Sequence, residues 1–108
     1  MFDLTQLNLA QFEESAGRAA ALLKLLGNEK RLMVLCQLSE GELSVSELQM
    51  RVGLSQSALS QHLALLREQG AVETRREAQV IFYRIADPAV MRVIETLAEL
   101  FCPAELRT

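Results

Sequence analysis

The run Gly53-Leu54-Ser55-Gln56-Ser57-Ala58-Leu59-Ser60-Gln61-His62-Leu63-Ala64-Leu65-Leu66 decides the fold. Leu59, Leu63 and Leu66 recur at helical spacing, so they form a buried stripe on a helix whose other faces carry hydroxyls, amides and a histidine. Gly53 breaks the chain just before it. Ser55 is the residue type that caps a helix N-terminus through its side-chain oxygen. The helix runs to about Gln69, and Gly70 stops it. Upstream, Ser44-Val45-Ser46-Glu47 has the spacing of a capping box, in which hydroxyl and carboxylate satisfy backbone donors reciprocally. It opens a shorter helix over Ser44–Val52. Two helices thus meet across a tight glycine turn.

The rest of the chain is organised around this pair. After Gly70 the apolar period changes from helical to alternating. Val72-Glu73-Thr74-Arg75 and Val80-Ile81-Phe82-Tyr83-Arg84-Ile85 read as two strands about an Arg76-Glu77-Ala78-Gln79 tip. On the N-terminal side, Leu9, Phe12, Ala16, Ala19, Leu22, Leu23 and Leu26 form a stripe over a helix at 9–26 that Gly27 ends. A second helix at 29–38 turns Leu32, Met33, Leu35, Cys36 and Leu38 largely inward. Asp87 caps a last helix with Pro88 at its first position. That helix carries Val90, Val93, Ile94, Leu97, Ala98, Leu100 and Phe101 and ends before Pro103. Four helices, a hairpin and a fifth helix predict a mainly α single domain over 1–108, a winged helix-turn-helix. The helix-turn-helix lies at about 44–69, the wing at about 71–85, and the outer helices at about 9–26 and 88–102.

Charge distribution bears on the partner. The net charge of −3 alone argues against nucleic acid. Residues 51–84, however, hold five Arg and three Glu and are net positive, whereas both flanking segments are net negative. A local basic face governs docking on phosphates more than total charge does. No apolar run is longer than that of Ala19–Leu23, which is too short to span a bilayer. Met1–Asp3 opens on an acid rather than a basic stretch, which predicts no secretory leader and a cytoplasmic protein.

In a helix-turn-helix the second helix enters the major groove and its N-terminal residues meet base edges. The candidates here are Ser55, Gln56, Ser57, Ser60, Gln61 and His62. Serine donates or accepts at bases and phosphates, and Gln pairs bidentately with adenine. Arg67 reads as a flanking phosphate contact. Arg75 and Arg76 on the wing would reach the backbone or the adjoining minor groove. Each of these residues alone is more often a solvated polar side chain; it is the dense run between turn and hairpin that points to DNA. His62 is the only histidine, too few for a metal site of its own, and reads as DNA-facing or partly buried. No Gly-rich phosphate loop and no nucleophile–histidine arrangement points to an enzyme or a cofactor.

The segment Leu54–Leu63, followed by Arg67, Gly70, Val72, Arg76 and Phe82-Tyr83, resembles the ArsR/SmtB family of bacterial repressors. The resemblance covers about residues 16–103. It implies a homodimer with first and last helices at the interface, bound to an inverted-repeat operator in double-stranded DNA and released on sensing. Metal-sensing members carry cysteines where this chain has Ser44 and Ser46, and hydroxyls are poor ligands for soft metals. The last helix, 87–101, offers Asp87 but no histidine for the family's other metal site. No metal is therefore expected.

Arg31-Leu32-Met33-Val34-Leu35-Cys36 and Leu100-Phe101-Cys102-Pro103 resemble instead a dithiol subgroup of the family that responds to persulfides or polysulfides. The resemblance implies that Cys36 and Cys102 form a redox pair with reactive sulfur species as inducer. Residue chemistry by itself favours Cys36 as a core thiol, and local sequence activates neither cysteine. A general oxidant sensor forming a simple disulfide, or a constitutive architectural winged helix with inert thiols, stays open at this point.

Overall fold

The computed structural model describes residues 8–102. Met1–Asp3 and Pro103, which entered the reading of the two ends, lie outside them. The order is α1 (Leu9–Leu26), α2 (Glu29–Leu38), β1 (Leu43–Ser44), α3 (Val45–Val52), α4 (Gln56–Glu68), β2 (Val72–Glu77), β3 (Val80–Ile85) and α5 (Pro88–Phe101). The winged helix-turn-helix expected from the sequence is present. Among the described residues no helix is long and apolar enough to cross a membrane.

Local chemistry sets the helix starts. Asn8, Asn28, Ser44, Ser55 and Asp87 each accept a backbone N–H from the first turn of their helix. The Ser44–Glu47 capping box closes as expected: Glu47 N–H donates to Ser44 Oγ at 3.2 Å and Ser44 N–H donates to Glu47 Oε1 at 3.0 Å. Gly53 sits at φ 66°, in the left-handed region, and its N–H donates to the Gln49 carbonyl at 3.0 Å. This closes α3 and turns the chain into α4.

The sheet differs from the expected hairpin in two ways. It has three antiparallel strands in the order β1-β3-β2, because Leu43 pairs with Tyr83 and Ser44 with Phe82. A two-residue strand carries no periodicity, so the sequence could not announce it. The tip is also shorter. Arg76 and Glu77 continue β2, opposite Ile81 and Val80, and only Ala78 and Gln79 turn the chain.

The core lies where α2, α3, α4 and α5 meet the sheet. Val34, Leu35, Leu38, Leu48, Leu59, Leu63, Leu66, Val90 and Ile94 are essentially inaccessible. The stripe of α4 is thus buried as read. The stripe of α1 is not: Leu9, Phe12 and Leu23 are 72 %, 44 % and 65 % exposed, and only Leu25 and Leu26 are buried. At the other end, Leu100 and Phe101 of α5 are 69 % and 75 % exposed. The amphipathic faces of α1 and of the end of α5 therefore find no cover within this chain. Arg31 ties α1 to α2, its Nε donating to the Leu25 carbonyl at 2.6 Å and Nη2 to that of Lys24 at 3.3 Å.

Candidate nucleic-acid interface and thiol pair

The second helix of the helix-turn-helix, α4, projects polar side chains into solvent. Ser55, Gln56, Ser57, Ser60, Gln61 and Arg67 are all exposed. At about 100° per residue, Gln56, Ser57, Ser60, Gln61 and Arg67 share one arc of the helix. His62 falls on the opposite flank and is half-buried. Ser55 has a structural duty, since its Oγ accepts the Ala58 N–H at 3.2 Å, and it lies 3.5 Å from Ser57 Oγ. Between α4 and the wing runs an open groove of about 600 Å³, whose lining includes Ser60, Arg67, Ile81 and Tyr83.

The wing arginines stand in different environments. Arg75 reaches Glu42 and Glu77. Its Nε donates to Glu42 Oε1 and Oε2 at 3.2 and 3.1 Å, and Nη2 donates to Glu42 Oε1 at 2.7 Å. Nη1 donates to Glu77 Oε2 at 2.9 Å. Its guanidinium carbon lies 4.6 Å from the centre of the Phe82 ring. Hydrogen bonding from Arg75 holds the Glu42 carboxyl below the usual range, and the two carboxylates raise the guanidinium further above its own. Arg84 is paired with Glu73, its cross-strand neighbour. Arg76 makes no ion pair among the described residues; its Nε donates to the Ala78 carbonyl at 3.1 Å.

The two thiols sit on packed elements. Cys36 lies on α2, half-buried against the core, and Cys102 is the C-cap of α5, also half-buried; both are free. Burial pushes the Cys36 thiol up, and the nearby Cys102 charge pushes it further. Ser39 Oγ donates to the Cys36 carbonyl at 2.6 Å, fixing the end of α2.

These features have close counterparts in known proteins. A family model for bacterial regulatory proteins of the arsR family matches residues 28–74, from the start of α2 into β2. The transcriptional activator HlyU of Vibrio cholerae is 51 % identical over 98 residues, covering 91 % of either chain. The biofilm growth-associated repressor of Agrobacterium fabrum is 46 % identical over 103 residues, covering 95 % of this chain and 88 % of that one. The structure of reduced HlyU from Vibrio cholerae superposes with a TM-score of 0.84 at 50 % identity, covering 88 % of this chain and all of that one. The chain belongs to the ArsR family. Its relatives are transcriptional regulators, not enzymes, and DNA binding is the family's business.

Within this ArsR-family chain, Ser44 and Ser46 flank the start of α3, where Ser44 is committed to the capping box and to β1. Among the described residues no three His, Cys, Asp or Glu side chains gather as a metal site would need. Sequence reading missed Glu42. Its signal is visible only in hindsight: an acid just ahead of a capping serine, 33 residues from the arginine it meets.

Proposed function

We propose that the chain is a homodimeric, cytoplasmic transcriptional repressor that holds an inverted-repeat operator and releases it when reactive sulfur species join Cys36 to Cys102. The observation that carries the sulfur reading is the placement of two free, half-buried thiols on α2 and at the end of α5, two helices that pack on each other. The exposed apolar ends of α1 and α5 support the dimer, because a second copy is the cover these faces lack. Ser55, Gln56, Ser57, Ser60 and Gln61 would read bases, His62 would flank them, and Arg67 and Arg76 would contact phosphate.

The chemistry needs no other oxidant than the sulfur donor. Burial raises the Cys36 thiol and so disfavours its thiolate, and we assign the first attack to Cys102 at the helix end. With an organic polysulfide RSSSSR, the Cys102 thiolate displaces RSS⁻ and becomes Cys102–S–S–SR. Cys36 then loses its proton to solvent, attacks the middle sulfur and expels RS⁻, leaving a trisulfide. With a persulfide RSSH, Cys102 takes the outer sulfur and releases RS⁻. Attack by Cys36 on the Cys102 sulfur then expels HS⁻ and leaves a disulfide. Either bridge draws the end of α5 onto α2 and shifts the dimer helices. The two recognition helices must lie about 34 Å apart to enter successive major grooves. A coupling of about 1–3 kcal/mol would weaken operator binding roughly 5–150-fold.

The test uses a duplex that the reduced protein selects from a randomised pool. Its affinity is measured before and after polysulfide treatment, for wild type, Cys36→Ser and Cys102→Ser, with intact mass on the same samples. Wild type should release the duplex and both variants should keep it. If both single variants still release it, the thiol switch is wrong. A trisulfide exceeds a disulfide by one sulfur, about 32 Da, which separates polysulfide chemistry from simple oxidation.

A further inference from the structure

Arg75 reaches from β2 over the middle strand of the sheet. It starts on β2, its cross-strand neighbour on β3 is Phe82, and Phe82 in turn neighbours Ser44 on β1. Neighbouring strands lie about 4.8 Å apart, so two gaps span nearly 10 Å, more than one side chain covers. The planar head of Arg75 stacks on the ring it crosses, and the Glu42 side chain reaches back to complete the span. On the far side it meets Glu42, just before β1, in a forked arrangement. β1 leads directly into α3, whose N-cap is Ser44. The guanidinium therefore links the wing to the start of the helix-turn-helix.

The same contacts unsuit Arg75 for phosphate. Glu42 takes its Nε and Nη2 edge and Glu77 takes an Nη1 proton. One cation with two carboxylates is a cluster of net charge −1, which repels phosphate rather than attracting it. Arg84 is likewise neutralised by Glu73. Arg76 is the wing arginine without a carboxylate partner among the described residues.

We propose that Arg75 is a wing-positioning residue, a strut from β2 over Phe82 to Glu42, and that Arg76 carries the wing's phosphate contact. This rests on the DNA-binding reading above. It assigns Glu42 a part in operator affinity although an acid there would ordinarily oppose DNA.

The experiment measures affinity for the selected duplex as a function of salt, for Glu42→Gln, Arg75→Gln, Arg75→Lys, Arg76→Gln and the double variant of 42 and 75. Each lost phosphate contact flattens the slope of log K against log salt by about one. Arg76→Gln should flatten it by about one per wing. Glu42→Gln and Arg75→Gln should each weaken binding roughly fivefold or more with the slope unchanged, and the double variant should be no weaker than the worse single one. Arg75→Lys, which keeps the charge but loses the fork, should bind as weakly as Arg75→Gln. The proposal fails if Arg75→Gln flattens the slope as Arg76→Gln does, or if Arg75→Lys restores affinity. It also fails if Glu42→Gln tightens binding and steepens the slope, or if either single variant binds like wild type. All positions are exposed, and far-ultraviolet circular dichroism on the same samples confirms folding. If the wild-type protein selects no duplex, the DNA-binding reading fails and takes this inference with it.

Discussion

Arg31 Nε donates to the carbonyl of Leu25 at 2.6 Å, so α2 caps the C-terminal end of α1. The last carbonyls of a helix have no partner inside it, and Gly27 leads the chain away at once. With Lys24 as a second acceptor, one guanidinium serves two of these carbonyls. The same helix α2 carries Cys36, so the contact also ties the thiol helix to the uncovered helix α1. Arg31→Ala should destabilise the fold by about 1–2 kcal/mol, since it leaves these acceptors without their charged donor. Arg31→Lys should recover only part of this, because an ammonium lacks the planar fork. Urea unfolding of the reduced protein measures both. A wild-type midpoint for Arg31→Ala would show that water replaces the contact without cost.

The turn of the helix-turn-helix rests on Gly53. A Cβ built there meets nothing within 4 Å, so substitution costs only the left-handed backbone. Gly53→Ala should therefore cost about 1–2 kcal/mol, and Gly53→Asn less, because Asn visits that region more readily. Equal losses for Ala and Asn would mean that something other than backbone preference is at work. Denaturant melts of the two variants decide it.

The elements whose evidence is local were legible in the sequence. Ser55, Gly53 and the Leu59-Leu63-Leu66 stripe are neighbours in the chain, and the helix they specify is in place. The capping box at Ser44 needed only four consecutive residues. What escaped depends on distant partners. β1 is two residues long and exists because Tyr83 and Phe82 lie beside it, about forty positions away. Arg75 read as a free cation because Glu42, its partner, lies on another strand's approach. His62, read as DNA-facing or partly buried, lies half-buried on the far flank of α4. Periodicity did find the stripe of α1 but not where it goes: a stripe shows that a face seeks cover, not whether the cover lies in the same chain.

The wing tip carries a visible cost. Ala78 has φ 56°, a conformation that side chains other than Gly, Asn and Asp seldom adopt. With Gln79, whose φ is not positive, it forms a two-residue tip between β2 and β3, the kind of tight turn for which Gly is favoured at the first position. Ala78→Gly should stabilise the protein by about 0.5–1 kcal/mol, while Ala78→Val should destabilise it by at least as much. Thermal unfolding reads both. Since Arg76 donates to the Ala78 carbonyl, a backbone group, the Gly variant should keep that contact and its DNA affinity.

Acid should loosen the start of α3 and the wing. Glu47 is held below the usual carboxylate range by the Ser44 backbone and hydroxyl, and Glu42 by Arg75. A carboxyl whose folded value is lowered contributes stability above its unfolded value, and loses it as pH falls through the folded value. The loss therefore sets in below the ordinary value of 4.5 and deepens as acid increases. Melting temperature should fall over that range, and more shallowly in Glu42→Gln and Glu47→Gln. Salt should shrink the Glu42 share, which is an exposed ion pair, more than the Glu47 share, which is mainly hydrogen bonding. Identical acid profiles in wild type and both variants would place the sensitivity elsewhere.

Two causes raise Cys36, and they are separable. Burial is the larger and the charge of Cys102 the smaller. Both oppose a thiolate: burial strips water from the charge, and a neighbouring thiolate repels a second one. Alkylation follows the thiolate fraction, so the rate of modification at Cys36, read by peptide mass mapping across pH, reports its titration. The midpoint should be highest in wild type, lower in Cys102→Ser, and lowest in the denatured variant. The second drop should exceed the first, because denaturation removes the larger cause. A reversed order would make charge the larger influence and would bring the thiols closer than their half-buried placement implies. The expected order has a chemical consequence. At neutral pH a raised Cys36 is a poor first nucleophile but, once deprotonated, an intrinsically strong one. It suits the second step of the bridge formation proposed above.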